Sequence, residues 1–323
     1  MTKLKLKAKP FLKWAGGKTQ LLPVIHERIP NEVKSGNIKY YVEPFVGSGA
    51  VFIDLLQTEG YRFEKAYIWD VNPELINVYN IIKSKSVSLL IEILKEKDAE
   101  FNGTEDKNVR KHIYSSTRDK FNKELELIDN ETTSKDFYVE RAAEFIFLNR
   151  TCFNGLYRVN KAGKFNVPMG DYKHPKICDE ENLLAVHELL EKVEINLGDY
   201  RESQAVIGDI IESGEKVFVY FDPPYRPLNV SSSFNSYSKF DFNDESQTEL
   251  AAYFKELDEL GASLMLSNSD PHNTDETDDF FDDLYEENLH GRRNNISRIP
   301  ARRNINSKGD KRGHINELLI TNY

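Results

Sequence analysis

The sequence predicts an α/β protein: one sheet with helices on both faces, interrupted midway by a helical and hairpin-rich insert. Three observations carry this. A strand, glycine turn, helix, strand and acid follow one another between Tyr40 and Asp70. A fully apolar strand, Val217 to Phe221, runs into Asp222-Pro223-Pro224-Tyr225. Between these two regions the apolar spacing is mostly helical.

The elements follow in order. Tyr40 to Glu43 reads as a short buried strand, Pro44 to Gly49 as a glycine turn, and Ala50 to Leu56 as the start of a helix. Lys65 to Trp69 is a second strand that ends at Asp70. Apolar residues recur at helical spacing in Leu75 to Ile82, Leu89 to Leu94 and Phe137 to Leu148. Phe101 to Ser134 is polar and carries no clear period. Asn149 to Pro175 mixes aromatics, glycines and bases as a loop or hairpin does, and Leu183 to Val193 is helical again. Val193 to Leu197 alternates like a strand and leads to Gly198-Asp199-Tyr200. Asn243 is placed to cap a helix through Leu260. Ala262 to Ser267 and Asn316 to Tyr323 close the pattern as strands.

The chain has 323 residues, is 39% hydrophobic and has no apolar run long enough to span a bilayer. Cys152 and Cys178 make neither a disulfide framework nor a zinc site, and a cytoplasmic protein with reduced thiols is the expectation. The net charge of −10 argues against a polyanionic partner until its distribution is read. Acids crowd Asp270 to Glu287 without a lysine or arginine among them. Bases crowd Arg150 to Lys176 and Arg292 to Arg312, against only Asp171 and Asp310. Those two stretches are candidates to track phosphates, or else plain solvated faces.

The Gly47-Ser48-Gly49 turn permits a tight bend and close backbone approach to a ligand. Asp70 follows at the end of the next strand, where an acid hydrogen-bonds the ribose of a bound nucleotide. Phe52 stands where a dinucleotide fingerprint has its third glycine, which weighs against NAD. Gly16-Gly17-Lys18-Thr19 imitates a phosphate loop, but the pattern needs glycine where Leu12 stands, and no strand precedes it. Asp222-Pro223-Pro224-Tyr225 sits at the carboxyl end of a strand, where open α/β sheets bind ligands. A ring-bound amine is a poor nucleophile because its lone pair is delocalised. A carboxylate and the fixed Pro223 carbonyl can each accept one of its hydrogens and offset the charge that develops on attack. Tyr225 offers a flat face for an extruded base. A serine-rich loop with Phe234, Tyr237, Phe240 and Phe242 follows, either a cover for that base or a surface loop with docked aromatics.

Phe11-Leu-Lys-Trp-Ala-Gly-Gly-Lys18, Glu43-Pro-Phe-Val-Gly-Ser-Gly49, Asp70, Asn154-Gly-Leu-Tyr-Arg158, Phe165-Asn-Val-Pro168 and Asp222-Pro-Pro-Tyr225 occur in that order. On these motifs the chain resembles the Dam-type, D12-class family of adenine-N6 DNA methyltransferases. The resemblance implies a Rossmann-like sheet that binds S-adenosyl-L-methionine, interrupted by a DNA-recognition insert. Residues 1–74 and 194–323 would form the catalytic domain and residues 75–193 the insert.

By the same resemblance Trp14 and Lys18 help hold the cofactor. Phe45, Gly47 and Gly49 line its methionine end, Asp70 binds its ribose, Asp199 meets its adenine amine, and Tyr200 lies beside that ring. Asp222 lies between cofactor and target. Arg158 is suited to donate two hydrogen bonds to guanine, and Leu156 and Pro168 to press on a thymine methyl. Lys13, Asn154 and Tyr172 join them at the DNA, as in members of the family that read GATC. The implied partner is double-stranded DNA, with no membrane, and a cognate restriction endonuclease as a functional partner in one setting. No metal is expected. An enzyme acting on RNA adenine or on cytosine N4 remains open at this stage, as does a non-catalytic DNA-binding module.

Overall fold

A computed structural model of the chain describes residues 6–14, 16–128, 134–226, 242–287, 291–302 and 314–323. Seven strands form one sheet: β1 (Tyr40–Glu43), β2 (Lys65–Asp70), β3 (Val193–Leu197), β4 (Val217–Phe221), β5 (Ser263–Ser269), β6 (Asn295–Arg302) and β7 (His314–Thr321). Their spatial order is β3-β2-β1-β4-β5-β7-β6. β1 to β5 are mutually parallel, and β7 lies antiparallel between β5 and β6.

The helices in chain order are α1 (Leu22–Arg28), α2 (Asn31–Lys34), α3 (Ala50–Leu56), α4 (Pro73–Lys83), α5 (Val87–Asn102), α6 (Lys107–Lys123), α7 (Lys135–Thr151), α8 (Glu180–Leu190), α9 (Ser203–Glu212), α10 (Asp244–Leu260) and α11 (Phe280–Tyr285). The period of two along each strand divides the core. Tyr41, Ala66, Ile68, Phe218 and Tyr220 point to one face, where they share a cluster with apolar residues of α3 to α8. Val42, Val219, Phe221 and Leu264 point to the other, under α9, α10 and α11. β4 is buried along its whole length because both of its faces are covered, which is why it reads as a continuous apolar run. The helices on both faces follow the sequence pattern. α10 begins where expected: Asn243 Oδ1 accepts from Ser246 N at 3.0 Å, and Gly261 ends the helix with φ 95°.

Two elements depart from the sequence expectation. The polar stretch after Phe101 contains α6, whose inward face is only Arg110, Tyr114 and Phe121. One of these three is charged, so the apolar period is too thin to read. The basic stretch after Arg292 contains β6, an edge strand that carries Pro300. Proline is tolerated on an edge and hides the strand signal. Among the described residues no helix is long and apolar enough to cross a membrane.

Candidate active site

Because β1 to β4 are parallel, Glu43, Asp70, Gly198 and Asp222 emerge at one edge of the sheet. The strand order reverses between β1 and β4, and the crevice outside such a switch point is where open α/β sheets bind ligands. The topology therefore brings the glycine turn and the Asp-Pro-Pro-Tyr tetrad side by side.

The turn is shaped for a close visitor. Gly49 has φ +70°, and a Cβ there would collide with the Phe52 ring and lie 2.6 Å from the Tyr79 hydroxyl oxygen. Phe52 thus fills the space that a third glycine would leave open. Tyr79 donates its hydroxyl to Gly47 O at 3.0 Å, and Gly47 N donates to Asp70 Oδ2 at 3.1 Å. Asn72 N donates to Asp70 Oδ1 at 2.9 Å. Burial pushes the Asp70 carboxyl up to about 6, although these backbone donors act against it. Trp14 lies against Gly47, where a Cβ would come 3.0 Å from its Cδ1, and its ring stacks on Tyr157 at 5.8 Å.

The tetrad is gripped from four elements. Lys18 Nζ, in a buried side chain, is 2.5 Å from Asp222 Oδ1, donates to Gly16 O at 2.6 Å, and lies 4.6 Å above the Tyr225 ring centroid. Ser267 Oγ on β5 donates to the same Oδ1 at 3.3 Å. Burial pushes the Asp222 carboxyl up, and Lys18 pulls it back. Tyr225 donates its hydroxyl to Glu317 Oε2 on β7 at 2.7 Å. Gln247 Nε2 on α10 donates to the Pro224 carbonyl at 3.0 Å and is itself braced by Asn268. Among the described residues no donor is spent on the Pro223 carbonyl, which leaves it able to accept. Beneath the site Tyr41 donates to the buried Glu43 at 2.5 Å, and burial holds the Glu43 carboxyl well above the usual range.

At the β3 end, Asp199 is partly exposed and caps the next turn, accepting from Arg201 N at 3.1 Å and Arg201 Nε at 2.8 Å. Tyr200 is buried and stacks on Phe45 at 5.1 Å, and its hydroxyl has no partner among the described residues. Phe242 packs edge-on against both rings. Phe234, Tyr237 and Phe240 lie outside the described residues.

Of the residues expected at the DNA, Lys13 touches Tyr172 and packs against Gly155, next to Asn154. Lys13 Nζ lies 4.0 Å over the Tyr172 ring. Asn154 is exposed at φ 56°, and Phe153 N donates to Pro168 O at 2.9 Å, which joins the two loops. Arg158 is exposed on a hairpin arm and its Nε donates to Asn166 Oδ1 at 2.8 Å. Leu156 is half-buried against the core. Arg110 is a holder that the sequence did not suggest: Nη1 donates to Tyr172 O at 3.2 Å and Lys173 O at 2.7 Å.

The charge runs need one correction. Arg298, counted as a phosphate candidate, faces Asp270 and Asp282, with its Nη2 donating to Asp282 Oδ2 at 2.6 Å. Arg150 likewise turns inward and donates to Phe11 O at 2.7 Å. Arg298 on β6 is thus spent on the acidic run, and Arg293 Nη2 lies 3.5 Å from Glu286 Oε1. Within the acidic run His272, Asp279 and Asp282 bring possible ligand atoms within 4.8 Å of one another, but Asp282 is already taken by Arg298.

Residues 14–305 match the sequence profile described as D12 class N6 adenine-specific DNA methyltransferase. The chain is 50% identical over 319 residues to a protein of Methanocaldococcus jannaschii named Type II methyltransferase M.MjaIII, covering 98% of this chain and 100% of that one. It is 37% identical over 325 residues to Type II methyltransferase M1.LlaDCHI of Lactococcus lactis, covering 100% and 98%. It is 33% identical over 313 residues to the DNA adenine methylase of Escherichia coli strain K12, covering 97% and 95%. The chain belongs to the D12 class of N6 adenine-specific DNA methyltransferases, enzymes that methylate adenine in DNA.

Proposed function

We propose that the methyl donor is S-adenosyl-L-methionine, held across the ends of β1, β2 and β3, and that the adenine methylated is the one in GATC. The observation that carries this is the Asp222 carboxylate beside the Pro223 carbonyl, to which no described residue donates, next to a glycine turn tied to Asp70. The residues present fit the donor. Asp70 keeps lone pairs for ribose hydroxyls. Exposed Val71 and Leu197 stand at the adjoining ends of β2 and β3 and suit a flat apolar ring. When bound, the donor supplies an electrophilic methyl carbon on a sulfonium, and the sulfur departs as a neutral thioether. The chain's own residues do the rest. Asp222 and the Pro223 carbonyl accept hydrogen bonds from the two amine hydrogens, concentrate the lone pair on N6 and offset its growing positive charge; the methylated amine then gives up one of these protons, with the Asp222 carboxylate as the adjacent base on its way to solvent. Tyr225, pinned by Glu317, stacks on the base.

Residues 1–74 and 194–323 are the catalytic part in this reading, and residues 75–193 the recognition insert. Lys13, Asn154, Leu156, Arg158, Pro168 and Tyr172 form its reading surface, with duplex DNA as the substrate. A cognate restriction endonuclease is the functional counterpart that the relatives named type II methyltransferases suggest. The test is a methylation-protection digest. After full turnover GATC sites resist an endonuclease blocked by N6-methyladenine, and unprotected sites refute the GATC assignment.

Cofactor affinity should depend on pH through Asp70. Its carboxyl is raised to about 6 in the unliganded protein, so its contribution to stability is present below the ordinary value of 3.8 and is lost as pH rises through about 6. Binding runs the other way, because ribose hydroxyls donate to the carboxylate. Titration calorimetry between roughly pH 5 and 8 should give an affinity that weakens by up to about tenfold per unit below about 6. Asp70→Asn should bind more weakly with a flat profile. An unchanged slope in that variant removes Asp70 from the role.

A further inference from the structure

Residues 8–13 form a strap that sinks Ala8, Phe11 and Leu12 into the core and is held by side-chain amides. Gln57 exchanges two hydrogen bonds with the backbone of Ala8, both at 2.8 Å. Asn182 does the same with Lys9, at 2.8 and 3.0 Å. Asn149, near the end of α7, grips Lys13: its Oδ1 accepts from Lys13 N at 2.9 Å and its Nδ2 donates to Lys13 O at 2.8 Å. Asn149 alone of the three also reaches the recognition loop, with Nδ2 donating to Gly155 O at 3.0 Å. Both of its amide hydrogens are therefore spent, and the side chain is buried.

What it joins is conformationally demanding. Asn154 and Gly155 are both left-handed, at φ 56° and φ 64°. A side chain at Gly155 would collide with the Lys13 side chain, so the loop and the strap touch backbone to stem. Lys13 continues into Trp14, which lies against the cofactor turn at Gly47.

From this geometry we infer that Asn149 is a positioning residue for site choice. It sets Lys13 and Asn154 in one fixed relation to each other and to the cofactor turn, so that base discrimination reaches the catalytic step. The inference rests on the proposed DNA-reading role of Lys13 and Asn154. Loss of the grip leaves the chemistry in place and loosens which sites receive it. A buried asparagine that served only the fold would lower stability and total activity alike, without changing the sequence marked.

The test is sequencing of modified bases in DNA from cells that express the full chain, which reads site choice without assuming it. Asn149→Ala marks, besides the wild-type motif, sites that differ at the base pair governed by Lys13, raising their share about tenfold. Lys13→Ala relaxes the same position. The double variant relaxes it no further, because the two act as one unit. Asn182→Ala, which frees the strap but not the loop, keeps the wild-type motif. Where Asn149→Ala fails to fold, Asn149→Asp carries the test, since it keeps the accepted bond and loses both donated ones. An Asn149 variant that marks only the wild-type motif at lower yield overturns the inference, as does an additive double variant. If Lys13→Ala itself leaves the motif unchanged, the DNA-reading assignment falls, and the inference falls with it.

Discussion

Replacing Asp222 with alanine lowers the rate of methyl transfer to duplex DNA by at least about a thousandfold. The adenine amine carries a lone pair delocalised into its ring and has little nucleophilicity of its own. An acceptor placed on its hydrogen is worth most where water is excluded, and Asp222 is buried enough that its carboxyl is pushed up. The two ties it makes to described residues, from Lys18 and Ser267, both fall on Oδ1, so Oδ2 is available to the substrate. Asp222→Asn keeps one carbonyl acceptor but loses the charge, and should cost about a hundredfold. Alanine also strips a buried Lys18 of its counter-charge, so a melting curve must accompany the kinetics. Single-turnover transfer of labelled methyl groups, with cofactor binding measured separately, checks this. A rate within tenfold of wild type for Asp222→Ala would remove the carboxylate from the chemistry.

The parts of this site that can be read from sequence are those whose logic is local. A strand, a glycine turn and an acid at the next strand end lie within one short stretch, and so does the tetrad after β4. What cannot be read depends on which strands become neighbours. Glu317 meets Tyr225 only because β7 inserts beside β5, and Gln247 meets Pro224 only because α10 packs over that edge. Tyr157 belongs to the Asn154-to-Arg158 motif in the sequence, yet in space it floors Trp14 beside the Gly47 turn. Arg298 misleads for the same reason, since a basic run says nothing about the acids it will face across β6. α6 hides because a buried arginine takes the place of an apolar residue, and that arginine holds the loop carrying Tyr172.

Substituting Arg141 should destabilise the protein more than any single change at the surface. Arg141 and Glu74 are both buried. Nε donates to the two carboxylate oxygens at 3.0 and 2.9 Å, and Nη2 adds a short bond to Oε1. Nη1 donates to Phe121 O at 2.9 Å, and the guanidinium lies 4.0 Å over the Phe121 ring. The pair joins α7 to the first turn of α4, directly after Asn72, whose N–H holds Asp70. Arg141→Met leaves Glu74 buried without its cation, a loss of about 3–5 kcal/mol. The sign of its pH dependence follows from Glu74. Burial already raises that carboxyl above 4.5 in the folded chain, and loss of the arginine raises it further. The deficit of Arg141→Met is therefore greatest at neutral pH and shrinks as pH falls toward about 4.5, because Glu74 takes up its proton at a higher pH in the folded variant than in the folded wild type. Arg141→Met with Glu74→Leu should recover much of the loss, because the uncompensated charge is gone. Denaturant titrations at pH 7 and near pH 4.5 decide the matter. Equal midpoints for wild type and Arg141→Met at neutral pH would mean that the pair contributes nothing, and that packing alone joins α7 to α4.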